Sequence, residues 1–124
     1  MRLARIRDDR GRIWTVEIPE TRAERRRGLL GRMGLGPRAA MMFPNSRAVH
    51  TVGMDFPISV VFLDRWSRVI GVERTLPGRR LVRRARARHV LETAVDADVR
   101  IGDRFDYRPS RRAISRRWIS DVPE

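Results

Sequence analysis

The chain of 124 residues contains no cysteine, no lysine and only 2 histidines. Without cysteine it can form no disulfide bond, no thiolate nucleophile and no cysteine-ligated zinc site. No apolar run approaches the roughly 18 residues of a membrane-spanning helix, and the first residues lack the apolar core of a secretory signal. The lack of a signal segment predicts a cytoplasmic protein, and the lack of a long apolar run predicts that it has no membrane span.

Arginine supplies all of the basic side chains. The 28 basic residues are all Arg, and with 15 acidic residues they give a net charge of +13. A bias toward GC-rich codons is the simplest explanation for the missing lysine. Guanidinium groups bind phosphates and carboxylates in pairs of hydrogen bonds and stack on aromatic rings. The composition therefore predicts attraction to polyanions, whether or not this is the protein's function.

Short runs rich in β-branched and apolar residues dominate the chain. Residues 2–7 and 13–18 are joined by Asp-Asp-Arg-Gly at 8–11, a pattern that predicts a β-hairpin. The run at 58–63 is apolar on both faces except for Ser59, so it predicts a strand covered on both sides. Further strands are predicted at residues 39–43, 48–53, 69–72, 89–95 and 104–107.

One early helix is predicted between the second and third strands. Thr21 is followed three residues later by Glu24, which is the pattern of a capping box, so the helix should start near Arg22. Glycines at 31–34 should end it. We expect its arginines to face solvent; these are Arg22, Arg25, Arg26 and Arg27. We expect its apolar residues to be buried; these are Leu29, Leu30 and Met33.

About eight short strands with one helix are typical of a mainly β fold, a compact antiparallel β-sandwich or barrel. The length favours one domain, which we place at residues 1–108. Residues 109–124 form a basic C-terminal extension. Ser110 can cap a helix there with Ile114 and Trp118 on one face, and the alternative is a loosely held tail.

Five short motifs occur in the order in which a known family has them. They are Gly-Leu-Leu-Gly-Arg at 28–32, Met-Met-Phe at 41–43, Gly-Met at 53–54, Pro-Ile at 57–58 and Phe-Leu-Asp at 62–64. Over roughly residues 13–108 the chain resembles the prokaryotic domain-of-unknown-function family 192. The resemblance implies a jelly-roll-like β fold and brings no biochemical activity with it. Ser59 stands where the family usually has Asp.

Arg32 and Glu92 are the charged residues set inside these apolar motifs. Such residues are usually paired, because an isolated buried ion costs several kcal/mol. We therefore expect a buried ion pair that ties the early helix to a late strand. The alternative is that Arg32 anchors an anion on the floor of a pocket lined by His50 and Met54.

The remaining candidates for chemistry favour structural roles. His50 is interpreted as a histidine at the rim of the core, with a general base or a ligand as the alternative. The methionines Met41, Met42 and Met54 are expected to fill the core rather than to bind copper. Two histidines without cysteine or a spaced group of carboxylates make no metal site. We therefore expect no metal and no cofactor, and we assign no catalytic residue.

Six arginines between residues 79 and 88 form the densest basic segment of the chain. They are candidate contacts for a polyanion, together with residues 104–117, and we expect weak binding to DNA or RNA that shows no sequence preference and collapses near physiological salt. These arginines are Arg79, Arg80, Arg83, Arg84, Arg86 and Arg88.

Three functions remain open at this level. The first is a small non-enzymatic binding or accessory domain for a partner protein or a small ligand. The second is electrostatic binding of nucleic acid through the arginine-rich segments. The third is an enzyme of unknown class that uses His50 and its neighbours.

Overall fold

A computed structural model of the chain describes residues 1–51, 54–75 and 81–108. Within these residues it contains one α-helix, α1 (Arg22–Arg27), and eight strands. The strands are β1 (Arg2–Arg7), β2 (Ile13–Ile18), β3 (Ala39–Phe43), β4 (Ala48–His50), β5 (Ile58–Leu63), β6 (Val69–Thr75), β7 (Leu81–Arg83) and β8 (His89–Ala94). In this part of the chain no helix is long and apolar enough to cross a membrane.

Six strands form one sheet in the order β1-β2-β3-β8-β5-β6, and β4 pairs with β7 in a second, smaller sheet. The predicted mainly β fold is confirmed. One feature differs from a purely antiparallel sheet, because β2 and β3 run parallel. A parallel pair needs a long crossover connection, and the segment that contains α1 provides it.

The large sheet is not a closed barrel. Its two edge strands are β1 and β6, and residues 104–105 lie between them at one end. Single bridges join Asp8 to Phe105 and Arg68 to Arg104. These bridges replace the strand that was predicted at 104–107. The predicted helix or tail at residues 109–124 lies outside the described residues.

The central strands β3, β5 and β8 are buried on both faces, as predicted for residues 58–63. Successive side chains of a strand point to opposite faces, and alternate residues accordingly enter two separate apolar cores. The first core includes Trp14, Met42, Val61, Leu91 and Phe105. The second core, on the other face, includes Leu29, Met41, Val60, Phe62 and Val90, with Val49 of β4 and Val82 of β7.

Helix α1 begins as predicted and ends earlier than predicted. The Thr21 hydroxyl accepts from the Glu24 N–H, and the Glu24 carboxylate closes the capping box. The helix ends at Arg27 because Gly28 takes a positive φ of 48°, which glycine adopts at little cost. The later residues therefore do not continue a helical face: Leu29 is buried as expected, but Met33 is 93% exposed.

Candidate functional site

Glu92 lies at the centre of the six-stranded sheet. The adjacent strands place Met41 of β3 on one side of it and Val60 of β5 on the other. Alternation along β8 puts Glu92 on the same face as Val90, which belongs to the second core. The sheet therefore holds a carboxyl group among apolar neighbours.

Burial keeps this carboxyl group protonated at neutral pH. The residue is only 4% exposed, and within the described residues its side chain has no ion pair or hydrogen bond. Burial raises the pKa of Glu92 from 4.5 to about 8, because the ionised form would lose its hydration without gaining a partner. Glu92 is thus a neutral acid at pH 7, able to donate one hydrogen bond and to accept others.

A small cavity, which we call the Glu92 cavity, adjoins this side chain. Its volume is about 40 Å³, room for about three water-sized groups. The walls come from the end of α1 and the residues that follow it, from the β3–β4 connection with β4, and from β8. The residues that matter for its chemistry are Arg25, Phe43, Ser46, His50, Met54 and Glu92.

Arg25 places a cation in the cavity wall. It is 8% exposed, and its Nη2 donates to the Ser46 hydroxyl at 3.1 Å. Its guanidinium carbon lies 5.9 Å from the centroid of the Phe43 ring. The prediction that Arg25 faces solvent is wrong. A run of arginines on a short helix normally indicates a solvated face, and the sequence has no signal for which of them turns toward the sheet.

His50 and Met54 line the same cavity as Glu92. His50 is the last residue of β4, and its Nδ1 is buried with no hydrogen-bond partner in the described part of the chain. Met54 is 8% exposed and belongs to the second core. The structure therefore brings together three of the four residues that the sequence proposed for a pocket.

Arg32, the fourth residue, lies elsewhere. Its Nη2 is 2.5 Å from a carboxylate oxygen of Glu17 on β2, and the two side chains are 36% and 28% exposed. The predicted ion pair between Arg32 and Glu92 is therefore wrong. Because α1 ends at Arg27, Arg32 follows the helix in a loop and does not lie on a helical face directed at the second core.

Arg32 and Glu92 should accordingly contribute to stability independently. We expect the double variant Arg32→Ala/Glu92→Gln to show a coupling energy below about 0.5 kcal/mol, as for separated sites. Arg32→Ala with Glu17→Ala should show coupling of up to about 1 kcal/mol, typical of a partly exposed ion pair. Urea unfolding of the two mutant cycles gives both values. Coupling above about 1 kcal/mol between Arg32 and Glu92 would contradict the observed geometry.

The described arginines of the 79–88 segment differ in their surroundings. Arg79 and Arg80 lie outside the described residues. Arg84 is held by the fold, because its guanidinium lies 5.3 Å from the Phe62 ring centroid and 3.8 Å from the Glu73 carboxylate. All four described arginines are exposed: Arg84 itself, Arg83 on β7, and Arg86 and Arg88 before β8. Their contact with a polyanion remains a prediction.

The second histidine, His89, belongs to the fold. It is 1% exposed, and its Nδ1 accepts from the Asn45 N–H at 3.1 Å. Burial, and then the charge of Arg88, lower its pKa to about 4, so its imidazole is neutral at physiological pH. Among residues 1–51, 54–75 and 81–108, no group of three His, Asp or Glu side chains is arranged to hold a metal ion.

Comparison with known protein families and sequences finds relatives without an assigned activity. The model of the DUF192 family, described as uncharacterized ACR, matches residues 4–106. A UPF0127 protein from Thermococcus sibiricus is 29% identical over 112 residues, and the alignment covers 82% of this chain and 73% of that protein.

Two solved structures share the fold. A protein of unknown function from Novosphingobium aromaticivorans superposes with a TM-score of 0.73 at 20% identity, and the match covers 85% of each chain. A Sinorhizobium meliloti protein, provisionally described as a transcription regulator, superposes with a TM-score of 0.67 at 21% identity, over 82% of this chain and 89% of that one. At these identities the similarity shows the fold alone.

Proposed function

This chain belongs to the DUF192 family of uncharacterized proteins, and from that premise we propose that it is a non-enzymatic domain that binds a small polar ligand in the Glu92 cavity. The family supplies no activity, so the chemistry of the site defines the ligand. One observation carries the proposal: a neutral carboxyl group without a partner in the described residues adjoins a cavity at the second core.

The fold itself has no need of a carboxyl group at this position. A buried polar group without a hydrogen bond costs about 1–3 kcal/mol, and the neighbours of Glu92 in the sheet are the apolar Met41 and Val60. An apolar residue would fill the same place without that cost. A polar residue that weakens the core supports a role in binding, in which the ligand supplies the missing hydrogen bond.

The cavity favours a ligand that accepts hydrogen bonds. The protonated Glu92 can donate, and the Arg25 guanidinium adds a positive charge to the wall. A carboxylate or a carbonyl oxygen complements these groups, whereas a cation would be repelled by Arg25. Because the cavity is about 40 Å³, it holds either a very small molecule or the end of a larger one. Binding of a carboxylate should weaken above pH 8, where Glu92 becomes ionised and repels it.

Simple probe molecules test this proposal. In protein labelled at the methionine methyl groups, acetate and acetamide at millimolar concentration should shift the Met54 signal at pH 6.5, and methylammonium should leave it unchanged. Glu92→Leu should fold and lose the response, because it removes the donor and keeps an apolar core. The control Glu17→Gln alters a partly exposed glutamate outside the cavity and should respond like the wild type.

Two results would contradict the proposal. If no probe shifts Met54, the cavity is a packing defect of the second core. If Glu92→Leu responds as strongly as the wild type, the acceptor group binds without Glu92, and the proposed site is wrong.

A further inference from the structure

A second concave surface, which we call the arginine groove, lies where the end of β1, the β5–β6 turn and residues 104–108 meet. Its volume is about 730 Å³, within the roughly 300–1,000 Å³ of cavities that hold organic ligands. It shares no residue with the Glu92 cavity. Five arginines and one tryptophan line it: Arg7, Arg65, Arg88, Arg104, Arg108 and Trp66.

The five guanidinium groups of the groove are available for an anionic partner. All five residues are exposed, and none forms an ion pair with another described residue. The exposed carboxylates in the groove are fewer, namely Asp9 and Asp106, and Asp9 already accepts the Arg104 N–H at 3.1 Å. The groove therefore presents unneutralised positive charge to solvent.

Trp66 adds an aromatic surface to this charge. It is 58% exposed, and the Arg65 guanidinium carbon lies 4.5 Å from its ring centroid. Hydrogen bonds hold the turn that carries Trp66: the Asp64 carboxylate accepts from the N–H groups of Trp66 at 2.9 Å and Arg68 at 3.0 Å. A large aromatic ring on a hydrogen-bonded turn, beside arginines that form no ion pair with the described residues, is a stacking platform that is already in position.

We propose that the arginine groove binds single-stranded nucleic acid, with Trp66 stacking on an unpaired base and the arginines contacting the phosphates. Stacking on an aromatic ring inside a positively charged groove is how proteins bind single strands without reading their sequence. A duplex keeps its bases stacked within itself and offers none to Trp66. A sulfated polysaccharide or an anionic membrane has charges for the arginines but no base for the ring.

Fluorescence polarisation tests the proposal in the full chain at about 50 mM salt. The probe is a labelled mixed-sequence DNA strand of about 12 nucleotides, a length within known site sizes. Trp66→Ala should weaken binding about 5- to 150-fold, the range for loss of one stacked base. An abasic strand of equal length should bind the wild type with a comparable loss. Trp66→Ala should not weaken the abasic complex further, because the contact is already missing.

Two double variants of equal charge separate the groove from the net charge. Arg65→Ser/Arg104→Ser removes two groove arginines, and Arg5→Ser/Arg74→Ser removes two exposed arginines outside the groove. The groove pair should weaken binding at least about tenfold. It should also reduce the slope of log affinity against log salt concentration by about 1.4, because each phosphate contact on a single strand contributes about 0.7 to that slope. The control pair should change the affinity by less than about threefold.

Equal losses from the two pairs would show that binding follows net charge alone and would overturn the proposal. An unchanged affinity for Trp66→Ala would also overturn it, because no base would then be stacked. Tighter binding to heparin or to phosphatidylserine vesicles than to the oligonucleotide, independent of Trp66, would assign the groove to a polymer or surface without bases.

Discussion

Replacing Glu92 with Gln should stabilise the protein at alkaline pH and change its stability little near pH 5. The pKa of Glu92 is about 8 in the folded protein and 4.5 when exposed. Between these values the folded state holds a proton that the unfolded state has released, so the stability of the wild type falls as pH rises from about 4.5 to about 8. Glutamine does not titrate, so the variant escapes this loss.

The expected gain grows by up to about 1.4 kcal/mol for each pH unit in this window and reaches several kcal/mol at pH 8.5. Urea unfolding of both proteins at pH 5, 6.5 and 8.5 measures it. The opposite titration of His89, whose pKa is about 4, is common to both proteins and cancels in the difference. Glu17→Gln, at the partly exposed partner of Arg32, should change stability by at most about 1 kcal/mol at each pH. A difference between Glu92→Gln and wild type that is flat with pH would show that the cavity tolerates ionised Glu92.

Removing the carboxylate of Asp8 should destabilise the protein severely. Its side chain is fully buried and ion-paired to Arg12, with Nε to Oδ2 at 2.6 Å. It also accepts from Trp14 Nε1 at 2.9 Å and from the backbone N–H groups of Arg10 and Arg12 at 2.9 and 3.0 Å. Burial opposes ionisation, but the hydrogen bonds from Trp14 and Arg12 outweigh it and lower the pKa of Asp8. Asp8→Ala leaves Trp14 Nε1–H and the N–H groups of Arg10 and Arg12 without their acceptor, and the Arg12 guanidinium loses its shorter ion pair, keeping Asp103 at 3.5 Å.

We expect Asp8→Ala to cost about 3–5 kcal/mol, the usual cost of breaking a buried charge pair. For a protein of this size the melting temperature should fall by at least about 12 °C. Asp9→Ala is the matched control, because Asp9 is exposed and its carboxylate accepts a single hydrogen bond from the described residues, the Arg104 N–H, and it should cost no more than about 1 kcal/mol. A loss of less than about 1 kcal/mol for Asp8→Ala would show that this network does not stabilise the fold.

The buried carboxyl groups of Asp8 and Glu92 have different surroundings, and this difference indicates a structural role for the first and a binding role for the second. Asp8 is ionised, and its carboxylate accepts hydrogen bonds from the side chains of Arg12 and Trp14 and from the turn backbone. It therefore stabilises the β1–β2 turn. Glu92 is neutral and has no partner within the described residues, so it weakens the fold at neutral pH. The first stabilises the protein by its charge, and the second supports the proposed binding site.

The elements that follow from local physical chemistry could be predicted from the sequence. The capping box of Thr21 and Glu24 set the start of α1, the turn residues at 8–11 set the β1–β2 hairpin, and the doubly apolar run at 58–63 indicated a strand buried on both faces. Each depends on residues that are near one another in the chain. The family could also be recognised from motifs in the sequence, and the match to the family model confirms it.

The pairing of charges and the makeup of both candidate sites were decided by the tertiary structure. The sequence indicated that Arg32 and Glu92 should have partners. Because β2 pairs parallel with β3 and α1 ends early, Arg32 forms its ion pair with Glu17. Which arginine of α1 turns inward depends on how a helix of only 6 residues docks on the sheet. The arginine groove joins segments from residue 7 to residue 108. Such contacts depend on how strands that are distant in sequence pack together, so local sequence patterns do not predict them.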